Sequence, residues 1–468
     1  MRSEKHTRLL AELAEDYRRH SPKSAVLNQE AQRWLVDGGS HALRLIEPFP
    51  PRIVDAKGAW LEDEDGHRVL DFWQGHYANV LGHNPEVVTS VLAGALNEGF
   101  GLQTGFTDRL QVECAEILCR RTGAERVRFT TSGSLATMYA TLLARAFTGR
   151  DLVMKAGGGW HGGQPWGLKG VSFHTNSGEP EGFQRVETVG LPRYLTREVI
   201  VTRFNDVEAL RDHFREHGNE LACFIVEPFI GVGGFMPALP EYLETARRLS
   251  HEYGALLIFD EVIDGFRFRA GDVGQLYGIR PDLATFGKAM GGGMPVSAVA
   301  GRAEVMSLVG REKGRQVKFS GGTYSGHPAS LLAAKTSMTY LVEHEDEVYP
   351  RLAELGEKTR QTIEAAFADE GIYARCTGYG NEMVPGSSLA MTHFPCQAGR
   401  QLKTPDDVYD PDVCNVTLRE RVMKLGLLLE DIHVIHGLGA LSVAHTEDDI
   451  ARLGDACRRV ARRIKPHL

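Results

Sequence analysis

This 468-residue chain has no uninterrupted apolar run long enough to span a bilayer, so no transmembrane helix is expected. Its first residues, Met-Arg-Ser-Glu-Lys-His-Thr-Arg, are charged and lack the apolar core of a signal peptide, which points to a cytoplasmic protein. An excess of positive charge is missing as well, and the net charge of −8 argues against a nonspecific nucleic-acid binder. The seven cysteines include no Cys-x-x-Cys pair and are odd in number. They read as reduced thiols, not as a disulfide frame or a zinc site, and no metal is expected. Internal repeats and low-complexity tracts are also absent.

What is present is enough sequence to bury a large core, with ordinary apolar and charged fractions. Short apolar runs alternate with helical patterns between residues 126 and 302, the signature of an α/β fold with a mostly parallel sheet. Strands are predicted at 126–130, 151–155, 199–203, 222–226, 255–259, 283–286 and 297–300. Before them, residues 58–71 read as two strands around an acidic turn; after them, 331–344, 348–369 and the segment from Glu447 read as helices. Leu9, Leu10, Leu13 and Tyr17 recur at helical spacing and predict a docked first helix. The expected organisation is an N-terminal helix and part of a small domain over 1–70, a large domain over 71–335, and the rest of the small α+β domain over 336–468. Residues 396–413, polar and carrying Pro405 and Pro411, are the expected mobile loop.

Lys288 ends a short apolar strand and runs into Ala289-Met290-Gly291-Gly292-Gly293. An apolar approach makes an ammonium costly, and a neutral amine attacks an aldehyde to form a Schiff base. Asp260 ends another apolar run, Ala-Leu-Leu-Ile-Phe-Asp-Glu-Val. A lysine for an aldehyde and a carboxylate for a pyridinium nitrogen together suggest pyridoxal phosphate. A nucleotide phosphate loop is excluded, because Asp282 and Ala289 stand where that pattern needs Gly and Ser or Thr. Ser132-Gly133-Ser134 follows a strand and opens a helix, which supplies free N–H groups for a phosphate. In Gly157-Gly158-Gly159-Trp160-His161-Gly162-Gly163, glycines let backbone approach a flat ligand while Trp160 stacks on it. The hydroxyl-rich turn around Thr323 offers a further phosphate contact.

From residue 57 to residue 448 these motifs resemble the class III, fold type I pyridoxal-phosphate aminotransferases, and within them the glutamate-1-semialdehyde 2,1-aminomutases. The resemblance implies that Lys288 carries the cofactor as a Schiff base and Asp260 holds its ring nitrogen. It further implies that Val262 lies beneath the ring, that Trp160 stacks where a tyrosine is usual, and that Gly133 and Ser134 bind phosphate. Thr323 matches a phosphate contact from a neighbouring subunit, which implies a homodimer with active sites at its interface.

The chain departs from the mutase pattern at several points. His41-Ala42-Leu43-Arg44 replaces Ser-Pro-Val-Arg, leaving Arg44 as the candidate clamp for a substrate carboxylate. His436-Gly437-Leu438-Gly439 replaces Phe-Glu-Ala-Gly, so the acidic residue is gone. Leu135 and Asp264 stand where Glu or an amide, and Thr, are usual. These changes favour a transaminase with small-molecule partners, an amino donor with its nitrogen distal to the carboxylate, such as a β- or ω-amino acid, and a carbonyl acceptor. The alternatives are the aminomutase and, further off, a pyridoxal-phosphate epimerase or decarboxylase. His76, Tyr77, Trp160, His433 and His436 are the expected pocket residues.

Overall fold

A computed structural model describes residues 2–175, 182–186, 188–192, 194–311 and 316–468. The centre is a seven-stranded sheet in the order Arg126–Thr130, Ser297–Gly301, Leu283–Phe286, Leu256–Glu261, Leu221–Val226, Leu152–Ala156, Val199–Thr202. Only Ser297–Gly301 runs against its neighbours; the other pairings around Leu256–Glu261 and Leu221–Val226 are parallel. Every residue of Leu221–Val226 and Leu256–Glu261 is buried, as expected for strands covered by helices on both faces. All seven predicted strands are present, two with the expected bounds and the others with ends shifted by one or two residues.

Side-chain caps set several helix starts. Ser132 accepts the Leu135 N–H at the start of Gly133–Thr148, and Asp206 accepts the Ala209 N–H at the start of Val207–His217. Thr446 and Asp449 form a reciprocal capping box that opens the last long helix, Glu447–Ile464.

A second core joins both chain ends. Leu9, Leu13 and Tyr17, each 1% exposed on helix Arg2–His20, pack with Phe49, Leu70, Phe72, Ile363, Phe367, Leu453 and Ile464. Burying each such side chain contributes about 1.5–3 kcal/mol, enough to fix a helix that would be marginal in isolation. The hairpin Trp60–Asp63 and Arg68–Asp71 is extended by Ile53–Lys57 on one side and, in parallel, by Ile432–His433 on the other. The 396–413 segment, expected to be mobile, contains helix Pro405–Tyr409, anchored by the Thr404–Asp407 capping box and by buried Val408. Tyr409 also donates its hydroxyl to the Val232 carbonyl. Among the described residues no helix is long and apolar enough to cross a membrane.

Candidate active site

Parallel strands present their carboxyl ends on one side, where ligands of such sheets gather. Asp260 and Glu261 close strand Leu256–Glu261, and Lys288 follows strand Leu283–Phe286 by one glycine. The register puts Asp260 opposite Thr285, whose hydroxyl donates to Asp260 Oδ1 at 2.9 Å. Asp260 Oδ2 lies 2.8 Å from His161 Nδ1, and the Val262 N–H donates to Oδ1 at 3.2 Å. Asp260 is 3% exposed and His161 is 1% exposed. Burial keeps the His161 imidazole below its ordinary pKa against the pull of Asp260, so a neutral ring donates its Nδ1 proton to the carboxylate. His161 Nε2 is buried without a hydrogen-bond partner.

Lys288 is half-buried, and its φ of +45° places a non-glycine residue in the left-handed region. Such strain persists where the surroundings over-determine it, and it collects at functional sites. Burial pushes the Lys288 amine below its ordinary pKa, opposed by the attraction of Asp260 and Glu227. This is the direction needed for a nucleophilic amine.

Glycines close the site at two contacts. A Cβ on Gly133 would lie 2.8 Å from Val262 Cγ1, so this glycine brings the helix start onto Val262. Gly162, at φ +98°, approaches Ser134 so closely that a Cβ would meet Ser134 Oγ at 2.4 Å. Ser134 Oγ accepts the Gly163 N–H at 3.3 Å, tying the two glycine-containing loops together. Trp160 is 42% exposed while neighbouring His161 is buried, so the indole is presented to the open side.

Glu227 was absent from the sequence expectations. It follows strand Leu221–Val226 and accepts N–H groups from Trp160 and Gly231, both at 2.9 Å. Burial first, then the charge of Asp260, pushes its carboxyl up to about 8, despite those hydrogen bonds. The signal was available, because Glu227 stands after a wholly apolar strand as Asp260 does.

Gln74, Gly75, His76 and Tyr77 all have positive φ, from 49° to 67°, forming a left-handed turn. Its anchor is Asp71, which accepts the N–H groups of Trp73 and Gln74 and is flanked by His433 Nδ1 at 2.8 Å and His83 Nε2 at 2.7 Å. Burial alone would raise the Asp71 carboxyl, but these histidines hold it well below the usual range. His433, an expected pocket residue, is thus engaged in supporting the turn. His76 lies 3.3 Å from Arg44 Nε and stacks at a tilt on His41, with centroids 4.8 Å apart. Burial, then the charges of His41, Arg44 and Lys288, push His76 down to about 3, so it is neutral near pH 7. Arg44 is exposed, whereas Tyr77 is 3% exposed and packs edge-on against Phe235. Thr323 sits on an exposed loop whose carbonyl accepts the Thr104 hydroxyl.

His436, at φ +49°, lies 3.1 Å by Nδ1 from Glu420, which also pairs with Arg419 at 2.7 Å. Next to it, Gly437 has φ +81°, and a Cβ there would meet the Thr392 backbone N and O at 2.8 Å. The position that carries glutamate in the mutase pattern therefore lacks room for a side chain.

An α/β sheet with a lysine and a hydrogen-bonded aspartate at adjacent strand ends defines a fold type I transferase. Residues 46–383 match the family described as aminotransferase class-III. The chain belongs to the class III aminotransferases. It is 31% identical over 451 residues to the glutamate-1-semialdehyde 2,1-aminomutase of Thermodesulfovibrio yellowstonii, covering 94% of this chain and 99% of that protein. Its structure is similar to a β-phenylalanine aminotransferase from Variovorax paradoxus, with TM-score 0.82, 30% identity and coverage of 99% and 98% of the two chains. An omega-transaminase from Sphaerobacter thermophilus gives TM-score 0.83 and 29% identity, over 94% and 98%.

Proposed function

We propose that this protein is a pyridoxal-phosphate transaminase acting on an amino donor whose reacting nitrogen is distal to its carboxylate. The observation that carries the preference over a mutase is Gly437, whose left-handed, close-packed backbone replaces the acidic residue. The similarity to transaminases over nearly the whole fold supports it. The aminomutase reading is favoured by the name of the Thermodesulfovibrio relative.

The residues fit the cofactor: a glycine-lined cradle, an aspartate already held by three donors, and a lysine whose ammonium form is disfavoured. When bound, pyridoxal phosphate supplies an aldehyde and a ring that withdraws electrons from the substrate carbon. Asp260 would hold the ring nitrogen, and His161 and Thr285 fix the direction of its carboxyl group. Ser132, Gly133 and Ser134 offer the helix N-terminus to the phosphate. Val262 would lie beneath the ring and Trp160 would stack on it. The Lys288 amine would accept and return the proton at the substrate carbon, a role contributing about 10²–10⁴-fold to the rate. Arg44 clamps the substrate carboxylate, with neutral His76 beside it.

The functional unit is a homodimer. Trp34, Val36, Leu102, Phe106 and Tyr324 are 60–84% exposed, and the Thr104–Thr323 hydrogen bond joins two of the segments that carry them. The division into 1–70 with 336–468 and 71–335 accompanies this reading: one core joins the two chain ends almost by themselves, while the main core of the large sheet also takes in Val348, Leu352, Leu389 and Ile435 from the C-terminal part.

The decisive assay mixes cofactor-loaded protein with α-, β- and ω-amino acids, amines and glutamate 1-semialdehyde, without any keto acid. One equivalent of carbonyl product released from a β- or ω-amino acid, turning over only when an acceptor is added, is the expected result. Repeated isomerisation of the semialdehyde alone overturns it in favour of the mutase.

A further inference from the structure

Outside the Lys288 cluster, three segments far apart in sequence bring together two imidazoles and a carboxylate. His20 ends helix Arg2–His20, His67 lies in the hairpin turn before Arg68–Asp71, and Asp431 immediately precedes Ile432–His433. One ligand atom from each lies within 4.8 Å of the others. The two rings stack with centroids 3.9 Å apart.

His20 Nε2 and Asp431 Oδ1 face each other at 3.3 Å, an ion-pair distance, and this Oδ1 is shielded from solvent. Two ligands bound at about 2.0–2.1 Å to a tetrahedral centre are separated by roughly 3.3–3.4 Å. Both imidazoles also have an oxygen partner on their other nitrogen: Ser21 Oγ lies 2.8 Å from His20 Nδ1, and Asp63 Oδ2 lies 3.0 Å from His67 Nδ1. The Asp63 carboxylate accepts the Nδ1 proton of His67 and so leaves its Nε2 with a lone pair, the arrangement found behind metal-bound histidines, while Ser21 holds the His20 ring in place. Asp63 is itself fixed, 3% exposed and accepting the Asp65 and His67 N–H groups. The three side chains retain 23–30% exposure, so solvent can supply a remaining ligand. Arg452 lies 3.9 Å from the other Asp431 oxygen, Oδ2, and leaves Oδ1 to the histidines.

We propose that His20, His67 and Asp431 bind one divalent transition metal, zinc being the best fit to two imidazoles and a carboxylate, with Asp63 positioning His67. The site ties the end of the first helix to the hairpin and to the C-terminal strand, so its role is to fasten the chain ends. The expectation of no metal rested on cysteine spacing, which does not bear on histidines brought together by folding.

The test uses the full-length holoenzyme in a Cys396→Ser background, stripped with EDTA and titrated with Zn²⁺ or Co²⁺. Expected are one equivalent bound per chain, the visible bands of tetrahedral Co²⁺, and a thermal midpoint that rises with Zn²⁺. His67→Gln and Asp431→Asn should each weaken binding by at least about 100-fold, and Asp63→Asn by about 10–100-fold, with transaminase turnover unchanged. Failure of the unsubstituted protein to show Co²⁺ bands or a Zn²⁺-dependent midpoint overturns the proposal, whatever the variants do. Equal binding by a folded His20→Gln/His67→Gln protein overturns it as well.

Discussion

Two buried carboxyls close to Lys288 have opposite tasks. Asp260 is surrounded by donors suited to a carboxylate, whereas Glu227 is pushed up to about 8 and keeps its proton at neutral pH. Between its ordinary value of 4.5 and about 8, folded Glu227 holds a proton that the unfolded chain releases, so its contribution to stability falls as pH rises through that window. Glu227→Gln removes this titration but gives up one of two N–H acceptors, at a cost of about 1–3 kcal/mol. Thermal midpoints measured from pH 5 to 9 should therefore be lower for the variant at the acid end and converge with the unsubstituted protein toward pH 8. Parallel curves would show that Glu227 is ionised throughout. His76 has the reverse sense: its depressed pKa makes the folded state lose stability as pH falls from 6.5 toward about 3.

At the scale of elements, the site depends on backbone that only particular residues tolerate. Gly162→Ala places a methyl against Ser134 and Gln164 at a φ of +98°, so the two cofactor loops must separate. Cofactor affinity should fall by at least about tenfold and stability by about 1–3 kcal/mol, read by absorbance titration and denaturant unfolding. The left-handed turn over Gln74–Tyr77 relies on Asp71. Asp71→Asn leaves His433 and His83 facing an amide that cannot accept from both and also cap the turn, and about 3 kcal/mol should be lost. Because the turn carries His76 toward Arg44, kcat/KM for a carboxylate-bearing donor should drop more than for a simple amine. The sequence marked Asp260, Lys288 and the glycine loops because each interrupts an apolar pattern. It did not mark Asp71, whose partners His83 and His433 come from separate segments, one of them more than three hundred residues away.

At the scale of the whole molecule, exposed Phe106, Leu102 and Tyr324 lie on segments joined through Thr104 and Thr323. Phe106→Asp should shift sedimentation from dimer to monomer and lower turnover together, since Thr323 acts across the interface in the proposed assembly. A fully active monomer would remove that assembly from consideration. Strand positions, the α/β class with its mostly parallel sheet and the Lys288–Asp260 pair were set by local sequence, because an apolar run ended by one polar residue is a short-range pattern. Folding alone decided what spans the chain: the Asp71 triad, the fit of Gly437 against Thr392, the protonation of Glu227, and the meeting of His20, His67 and Asp431. The physical reason is that burial and charge proximity depend on which segments become neighbours. That choice is made by packing both chain ends into one core, not by any one stretch of sequence.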